Sequence, residues 1–483
     1  MSMIKFFASL MVIAVCSEVC CANDTKNKAD QDKNKSNVVE EQKNNSEFFD
    51  AMQSALENNK EILAASKELK AVHENYVTAS AAFRPTIQAN AQYQANNRDD
   101  WSNSKSLGAN SANGTYHSRT KSYGIGVKQN IYRGGADKAT LNEADANIKA
   151  KWASYEAKKQ SVLSKVASTY FKIIAKLGEI KHLIALLDSR KESIKVAEKM
   201  YTAGSAKNLD VAQSQASCAE TVSNLANAEA ELSAYISEFE EITGKKFNGK
   251  NSSEKIKIFD DTLTLDQMIK VAQKNNPTVI AAAEALNAAK HAVKKINIEF
   301  SPSLDVSYSY DQSYDPSTKK RSPTDEKFNS RGHTVALSLT VPIYDGGVGR
   351  AQRRQATQSE AKASIDYENA KSEIITQVTT VHAVLVAAKK KIAAANDAVS
   401  ARELALHDTE QEYKAGTKIM NDVLEAQQQL FEARFMLINA ENEYITNQCK
   451  ANELLGRMNA KYLKLKDDSM EYKQHYHETV RKF

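Results

Sequence analysis

Tyr132-Arg133-Gly134-Gly135 and, 212 positions later, Tyr344-Asp345-Gly346-Gly347 decide how this chain is read. Each motif closes a stretch in which apolar and polar residues alternate, and each opens a long stretch with helical periodicity. Ala203-Gly204 with Asp210-Val211 recurs at the same spacing as Ala415-Gly416 with Asp422-Val423. Upstream, Asn58-Asn59 answers Asn275-Asn276 and Pro85 answers Pro302, both 217 positions apart, so the first copy carries five extra residues between Pro85 and Tyr132. A fixed internal period of this kind means that one structural unit is written twice.

Within each copy the periodicity changes in the same order: an amphipathic helix, two strands around a polar loop, then two long helices joined by a short turn. Ile87, Ala89, Ala91 and Tyr93 alternate with Gln88, Asn90 and Gln92, and Tyr123, Ile125 and Val127 keep that rhythm. In the second copy Leu304, Val306, Tyr308 and Tyr310 alternate with Ser303, Asp305, Ser307 and Ser309, and Val335, Leu337, Leu339 and Val341 do likewise. The pattern predicts strands at about 86–95, 122–132, 303–312 and 333–343, each with one apolar face. A soluble sheet with that face on a core satisfies the alternation as well as a membrane sheet does. The first copy runs from 47 to 249, a linker from 250 to 262, the second copy from 263 to 459 and a charged tail from 460 to 483.

No Gly or Pro interrupts Arg350 to Ala415, a span of 66 residues, which is about 100 Å of helix at 1.5 Å per residue. Val378, Leu385, Ile392, Val399, Leu406 and Tyr413 recur every seven residues, answered in the first copy by Val166, Ile173, Ile180, Leu187, Ile194 and Tyr201. Such a sustained repeat is a coiled-coil seam. Long helices are expected at about 135–202, 207–243, 347–414 and 418–456. The returning helices carry Val423, Leu430, Leu437 and Tyr444 against Val211, Cys218, Leu225 and Leu232. Cys218 therefore reads as a small apolar filler, and Cys449 in the same way. Gly178 marks either a bend or a close helix contact.

Lys5, the apolar run from Phe6 to Val15 and the small residue Ala22 form a secretory signal over residues 1–22. Cys16, Cys20 and Cys21 fall inside it. None of them follows a small residue, which disfavours a lipid anchor and leaves two lone cysteines with no disulfide framework. Residues 23–46 are almost wholly polar and read as a disordered leader. The net charge of +5, from 65 Lys and Arg against 60 Asp and Glu, is spread along helices, so no nucleic-acid partner is implied. No phosphate loop, HExxH, GxSxG or paired Cys motif outside the signal points to an enzyme or a cofactor. His475, Tyr476 and His477 lie in the charged tail and read as solvated residues. Trp101 stands in a polar hairpin tip, either as an interfacial anchor or as a surface residue.

Four strands cannot close a barrel, and an open sheet edge cannot persist in lipid. Three copies would supply twelve strands around a water-filled lumen. Pro85 and Pro302 stand where helix gives way to strand, and Gly134, Gly135, Gly346 and Gly347 where strand returns to helix. The duplication, Val341-Pro342-Ile343-Tyr344-Asp345-Gly346-Gly347 and Tyr413-Lys414-Ala415-Gly416-Thr417 together resemble the TolC family of outer-membrane efflux and secretion ducts over Glu47 to Asn459. That resemblance implies a mostly helical protomer with β-strands. Three protomers would form a twelve-stranded barrel in outer-membrane lipid, joined to a coiled-coil α-barrel that crosses the periplasm and narrows to a gate. It also implies a homotrimer that meets a periplasmic adaptor and an inner-membrane pump of RND, ABC or MFS type.

The turns at Gly204 and Gly416 fall at the tips of the helical hairpins. Asp422 and Glu425, three apart on one helix face, would place six carboxylates around the constriction of a trimer. Acids at that place also complement a helix dipole without any gate. By resemblance, a closed gate is tied through Asp210, Tyr413 and Lys418. Lys418 replaces the arginine often found there, and Leu209 stands where a polar partner is expected, so the tie is expected to be weaker. A secreted structural coiled coil or a periplasmic adaptor is the competing reading, and the duplicated strands speak against it.

Overall fold

The computed structural model describes residues 47–100, 114–205, 207–248, 263–298, 300–315 and 328–466. The signal, the polar leader, Trp101 and the His475 to His477 segment lie outside them. The chain divides into two compact units, Met1–Asp50 and Ala51–Phe483. Residues 47–50 of the first form the opening turn of a helix, in which the Phe48 and Phe49 rings meet edge to face at 5.4 Å.

The described elements are α1 (Glu47–Asn58), α2 (Lys60–Ser80), β1 (Thr86–Asp100), β2 (Gly114–Arg133), α3 (Ala136–Thr202) and α4 (Asn208–Thr243). They are followed by α5 (Leu265–Asn275), α6 (Pro277–Ile298), β3 (Ser303–Asp315), β4 (Phe328–Thr340), α7 (Val348–Lys414) and α8 (Met420–Leu454). The chain is mostly helical with a few strands, and the order of its first six elements recurs in its last six. At 67 residues each, α3 and α7 are about 100 Å long. No described helix is long and apolar enough to cross a membrane.

The single amphipathic helix expected ahead of each strand pair is in fact two helices, broken at Asn59 and at Asn276. Each Asn has extended backbone angles, with ψ of 124° and 123°. Asn59 Oδ1 accepts from the N–H groups of Glu61 at 2.9 Å and Ile62 at 3.3 Å, capping α2. Its Nδ2 donates to the Ile242 carbonyl in the last turn of α4 at 2.9 Å. Asn276 repeats the arrangement, accepting from Thr278 at 2.9 Å and Val279 at 3.4 Å and donating to the Leu454 carbonyl at the end of α8 at 3.0 Å. Both side chains are buried. Only a short amide supplies an acceptor for one helix start and a donor for another helix end at once. These two residues splice a short helix onto the end of each returning long one.

The long helices pack in the order α4, α3, α8, α7, while nearer the sheet α2 and α6 flank α3, and α6 also meets α7. Ion pairs follow the same lines. Lys158 and Lys151 of α3 meet Glu61 and Glu68 of α2, and Lys176 meets Glu231 of α4 at 2.7 Å. Along α7 the buried residues Ile374, Val378, Val381, Leu385 and Ala388 keep the alternating four-and-three spacing of a coiled-coil seam. The α3 helix runs unbroken through Gly178, where an added Cβ would come within 3.3 Å of Ile438 Cδ1 on α8, so this glycine serves close packing. Cys449 is buried and its thiol is pushed up to about 12 by that burial; Cys218 is half-buried.

The four strands form one antiparallel sheet in the order β1-β2-β3-β4. Register aligns Ile87, Val127, Tyr308 and Val335 in one row and Ala89, Ile125, Tyr310 and His333 in the next. Tyr132, Leu304 and Leu339 align beyond a bulge at Asn130. Directly opposed residues share a face, so these rows build one apolar surface. The other face carries Gln88, Gly126, Ser309 and Thr334, then Asn90, Gly124, Asp311 and Gly332. Within this chain the apolar face is bare: Ile87 is 70% exposed, Val335 77%, Leu337 68% and Leu339 67%.

Replacing Asn276 with Ala removes a cap and leaves a buried carbonyl unpaired, which costs about 2–4 kcal/mol. Asn276→Ser restores the cap acceptor without reaching Leu454 and recovers about 1 kcal/mol of that. Helix melting of the purified protein, followed by circular dichroism, should rank wild type above Ser above Ala. Equal midpoints for wild type and Ala would overturn this account of the splice.

Candidate functional site

The chain has two regions where its direction or its environment changes: the junctions between sheet and long helices, and the far tips of the helical hairpins. At the first, Arg84 is held extended (φ −119°, ψ 152°) by the proline that follows it. The expected turn glycines carry left-handed angles: φ is 64° at Gly134, 94° at Gly135, 72° at Gly346 and 91° at Gly347. Gly135 and Gly347 are the N-caps of α3 and α7 and have no side chain to satisfy the first N–H groups.

In the second copy Asp345 does that work, accepting from Gly347 N at 2.9 Å and from Gly349 N at 2.5 Å. The Gly349 bond first, and the Gly347 bond after it, hold the Asp345 carboxyl below the usual carboxylate range. In the first copy the acid sits four positions later. Asp137 stands in the first turn of α3, accepts from Asn130 Nδ2 at 2.5 Å and pairs with Arg133 at 3.7 Å. Both copies thus place a carboxylate at the positive end of a long helix.

The tips begin where α3 and α7 stop. Gly204 (φ 74°) and Gly416 (φ 78°) turn the chain. Ser205 N returns to the Met200 carbonyl at 2.8 Å and Thr417 N to the Glu412 carbonyl at 3.0 Å, satisfying the last helical acceptors in both turns. The next helices start on matching acids. Asp210 Oδ2 accepts from Lys207 N at 3.0 Å and Asp422 Oδ2 from Ile419 N at 3.1 Å. One oxygen of each carboxylate is therefore engaged with its own helix start, and the remaining acceptor capacity is open. Glu425 is exposed, shares the Asp422 face and accepts from Gln429 Nε2 at 3.1 Å.

Tyr413, at the end of α7, links the two hairpins. Its hydroxyl donates to Met200 Sδ on α3 at 3.1 Å, and its ring packs with Val196 and Val211 against a buried cluster of Ala197, Met420, Val423 and Leu424. Burial, and then the negative charge of nearby Asp210, push the phenol above its ordinary value. Lys418 is exposed in the turn and makes no hydrogen bond or ion pair with a described residue, while Leu209 is 60% exposed. The structure thus brings Tyr413 and Asp210 together and leaves Lys418 apart. Val423, Val211 and Tyr413 were read as seam positions, whereas Met200, Ala197, Met420 and Leu424 went unread in the sequence. The signal that could have found them is the seven-residue seam itself, which carries apolar positions on to the hairpin tips.

The folded Tyr413 phenol titrates above its unfolded value, so the stability it confers is complete below pH 10 and is lost as pH rises through the folded pKa. Melting midpoints measured between pH 9 and 12 should fall more steeply for wild type than for Tyr413→Phe. Parallel curves would mean that the phenol does not titrate in this environment.

Comparison with known proteins bears on both regions. A family model described as outer membrane efflux protein matches residues 51–244 and again residues 268–457. Outer membrane protein TolC of Escherichia coli is 25% identical over 415 residues, covering 84% of this chain and 81% of that protein. TolC of Vibrio cholerae is 23% identical over 412 residues, covering 84% and 89%. The solved CmeC outer membrane channel of Campylobacter jejuni has the same fold at 16% identity, with a TM-score of 0.72 over 89% of each chain.

Proposed function

The chain belongs to the outer membrane efflux protein family, and from that premise we propose that three copies close into a twelve-stranded barrel and a continuous helical tunnel, gated at the tips by Asp422 and Glu425. Its place is the outer membrane, with the helical part in the periplasm, where it is a channel for efflux or secretion. The observation that carries the proposal is the sheet: an exposed apolar face, a polar face behind it, and two unpaired edges at β1 and β4. Lipid covers the first, water the second, and only further copies of the same strands satisfy the third.

The internal repeat supports one way for copies to join. Within the chain β2 meets β3 with Val127 opposite Tyr308. Carried over by the repeat spacings of 212 and 217, β4 of one protomer meets β1 of the next with Leu339 opposite Ala91. The junction glycines agree with this. A Cβ on Gly134 would strike Ser301 and Ile298, whereas nothing lies within 4 Å of one on Gly346. Gly346 is the copy whose counterpart neighbour belongs to another protomer. Cysteines at Ala91 and Leu339 should cross-link protomers into a covalent trimer under oxidation. A pair at Ala91 and Val335, four residues out of register, should not, and the reverse result would refute this closure.

At the tips, six carboxylates from Asp422 and Glu425 would ring the narrowest part of the path and favour cations. Tyr413 ties the hairpins and Asp210 stands beside it. Lys418 supplies a point charge without the planar fork of arginine, so its link across protomers is less directional. Cargo enters from an inner-membrane pump of RND, ABC or MFS type through a periplasmic adaptor docked on the helices, and the duct itself performs no catalysis.

Planar-bilayer conductance tests this directly. Wild type should pass small cation-selective currents blocked by a trivalent cation, and the Asp422→Asn, Glu425→Gln double variant should lose most of that block. Tyr413→Phe with Lys418→Ala should raise the single-channel current. Folded protein that never conducts would refute the duct, and block unchanged in the double variant would refute the acidic ring.

A further inference from the structure

The bare apolar face of the sheet changes chemistry along its length. Its rows nearest the helices, from Leu304 opposite Leu339 to Tyr308 opposite Val335, carry no charge. The next rows outward bring in His333 opposite Tyr310, Arg331 opposite Gln312 and Lys121 opposite Tyr314. These three basic residues are exposed, and they lie on the same face as the apolar rows because directly opposed residues share a face. The His333 ring is already engaged, its Nδ1 2.9 Å from the Tyr308 hydroxyl. The side chains of Lys121 and Arg331 make no hydrogen bond or ion pair with a described residue, whereas Lys128, on the opposite face, stands 3.9 Å from Asp305.

Position along the strand sets what these two cations meet. Leu304 precedes Gln312 by eight residues and Tyr314 by ten, which at about 3.3 Å per residue and a tilt of about 40° raises their rows by about 20 Å and about 25 Å. The apolar band of an outer-membrane barrel is about 25 Å tall, so Arg331 and Lys121 stand at its far border. The long helices occupy the periplasm, so that border belongs to the surface leaflet. A cation is costly within hydrocarbon, but at headgroup level it meets lipid phosphates. Lys121 on β2 and Arg331 on β4 are about 10 Å apart across two strand spacings, with Gln312 and Tyr314 of β3 between them.

We propose that Lys121 and Arg331 hold the phosphate of a surface-leaflet lipid between them, over Gln312 and Tyr314, while its acyl chains lie on the Tyr310 and Val335 rows. The arginine supplies a two-pronged donor for the phosphate oxygens and the lysine a point charge. The apolar rows that continue beneath the pair favour a lipid over free phosphate, which those rows would not help to bind. The site rests on the reading that this face of the sheet meets lipid.

Native mass spectrometry of the purified full-length protein in neutral detergent, titrated with dioctanoyl phosphatidic acid, tests the assignment. One lipid per chain should be retained, more tightly than dioctanoylglycerol, which has the same body without the phosphate. Lys121→Gln or Arg331→Gln should each weaken retention about tenfold, the effect of one charged hydrogen bond, and Lys128→Gln should leave it unchanged. Retention no better than that of dioctanoylglycerol, inorganic phosphate that competes as well as the lipid, or affinity unchanged in both Lys121→Gln and Arg331→Gln would each overturn the site. So would an equal loss in Lys128→Gln, which would mark a response to net charge alone. The cysteine pair at Ala91 and Leu339 reports on the barrel in the same preparation. A covalent trimer that retains no lipid overturns the site and leaves the duct standing, whereas loss of both removes the lipid-facing premise and the site with it.

Discussion

A β-strand at the edge of a sheet presents backbone N–H and C=O groups with no partner, and hydrocarbon offers none. That constraint governs the rest of this molecule. The described residues contribute four strands whose register stacks apolar residues on one side and Gln, Asn, Ser, Asp and Gly on the other. It also leaves β1 and β4 open. A sheet bare on its apolar face and unpaired at both edges is unstable as a monomer in water or in lipid. In the trimer proposed above, head-to-tail association would satisfy both edges, and the joint between protomers would copy the joint already present between β2 and β3.

Strands sit about 4.8 Å apart and packed helices about 10 Å apart, so a wall cannot pass from one to the other without a change of direction. In a closed ring of twelve members, strand tilt of about 40° gives a circumference of roughly 75 Å, against about 120 Å for twelve helices. In the proposed trimer that mismatch would be taken up at the junctions, where extended Arg84-Pro85 leads in and left-handed Gly134-Gly135 and Gly346-Gly347 lead out. Further along, Asn59 and Asn276 join the short helices to the ends of α4 and α8. A short helix and a returning long one thereby act as one stave beside the 67-residue helices.

The elements with a long repeat were legible in the sequence. Val378 and Leu385 are buried and mark the α7 seam as the seven-residue spacing predicts. The strands were legible only where they alternate: β1 runs to Asp100, well past Tyr93, because Gln94 to Asp100 continue the ladder through backbone bonds with no apolar face. Asn59 and Asn276 were visible as repeat markers, yet their role was not, since it depends on where α4 and α8 end in space. The same holds at the tips. Asp210 and Asp422 could be placed at helix starts from the sequence, but the contact between Tyr413 and Met200 joins residues 213 positions apart through packing of α3 against α8.

Where the two copies have diverged, the differences fall at places that a six-fold arrangement would make equivalent and a three-fold arrangement would not. Arg133 with Asp137 in one copy faces Asp345 with Gly349 in the other, so the charge near each long helix start is set differently. Each copy still carries a carboxylate at the positive end of its long helix, but only Asp345 accepts from N–H groups there, while Asp137 meets Asn130 and Arg133. The contacts among Tyr170, Phe239 and Phe247 in the first copy likewise have no aromatic counterpart in the second, where His382, Ala451 and Asn459 stand 212 positions later. The contacts that join one helix to another, at Asn59 and at Asn276, are kept in both copies, whereas side chains that only fill space differ, so the duplication holds the splices fixed and lets the filling vary.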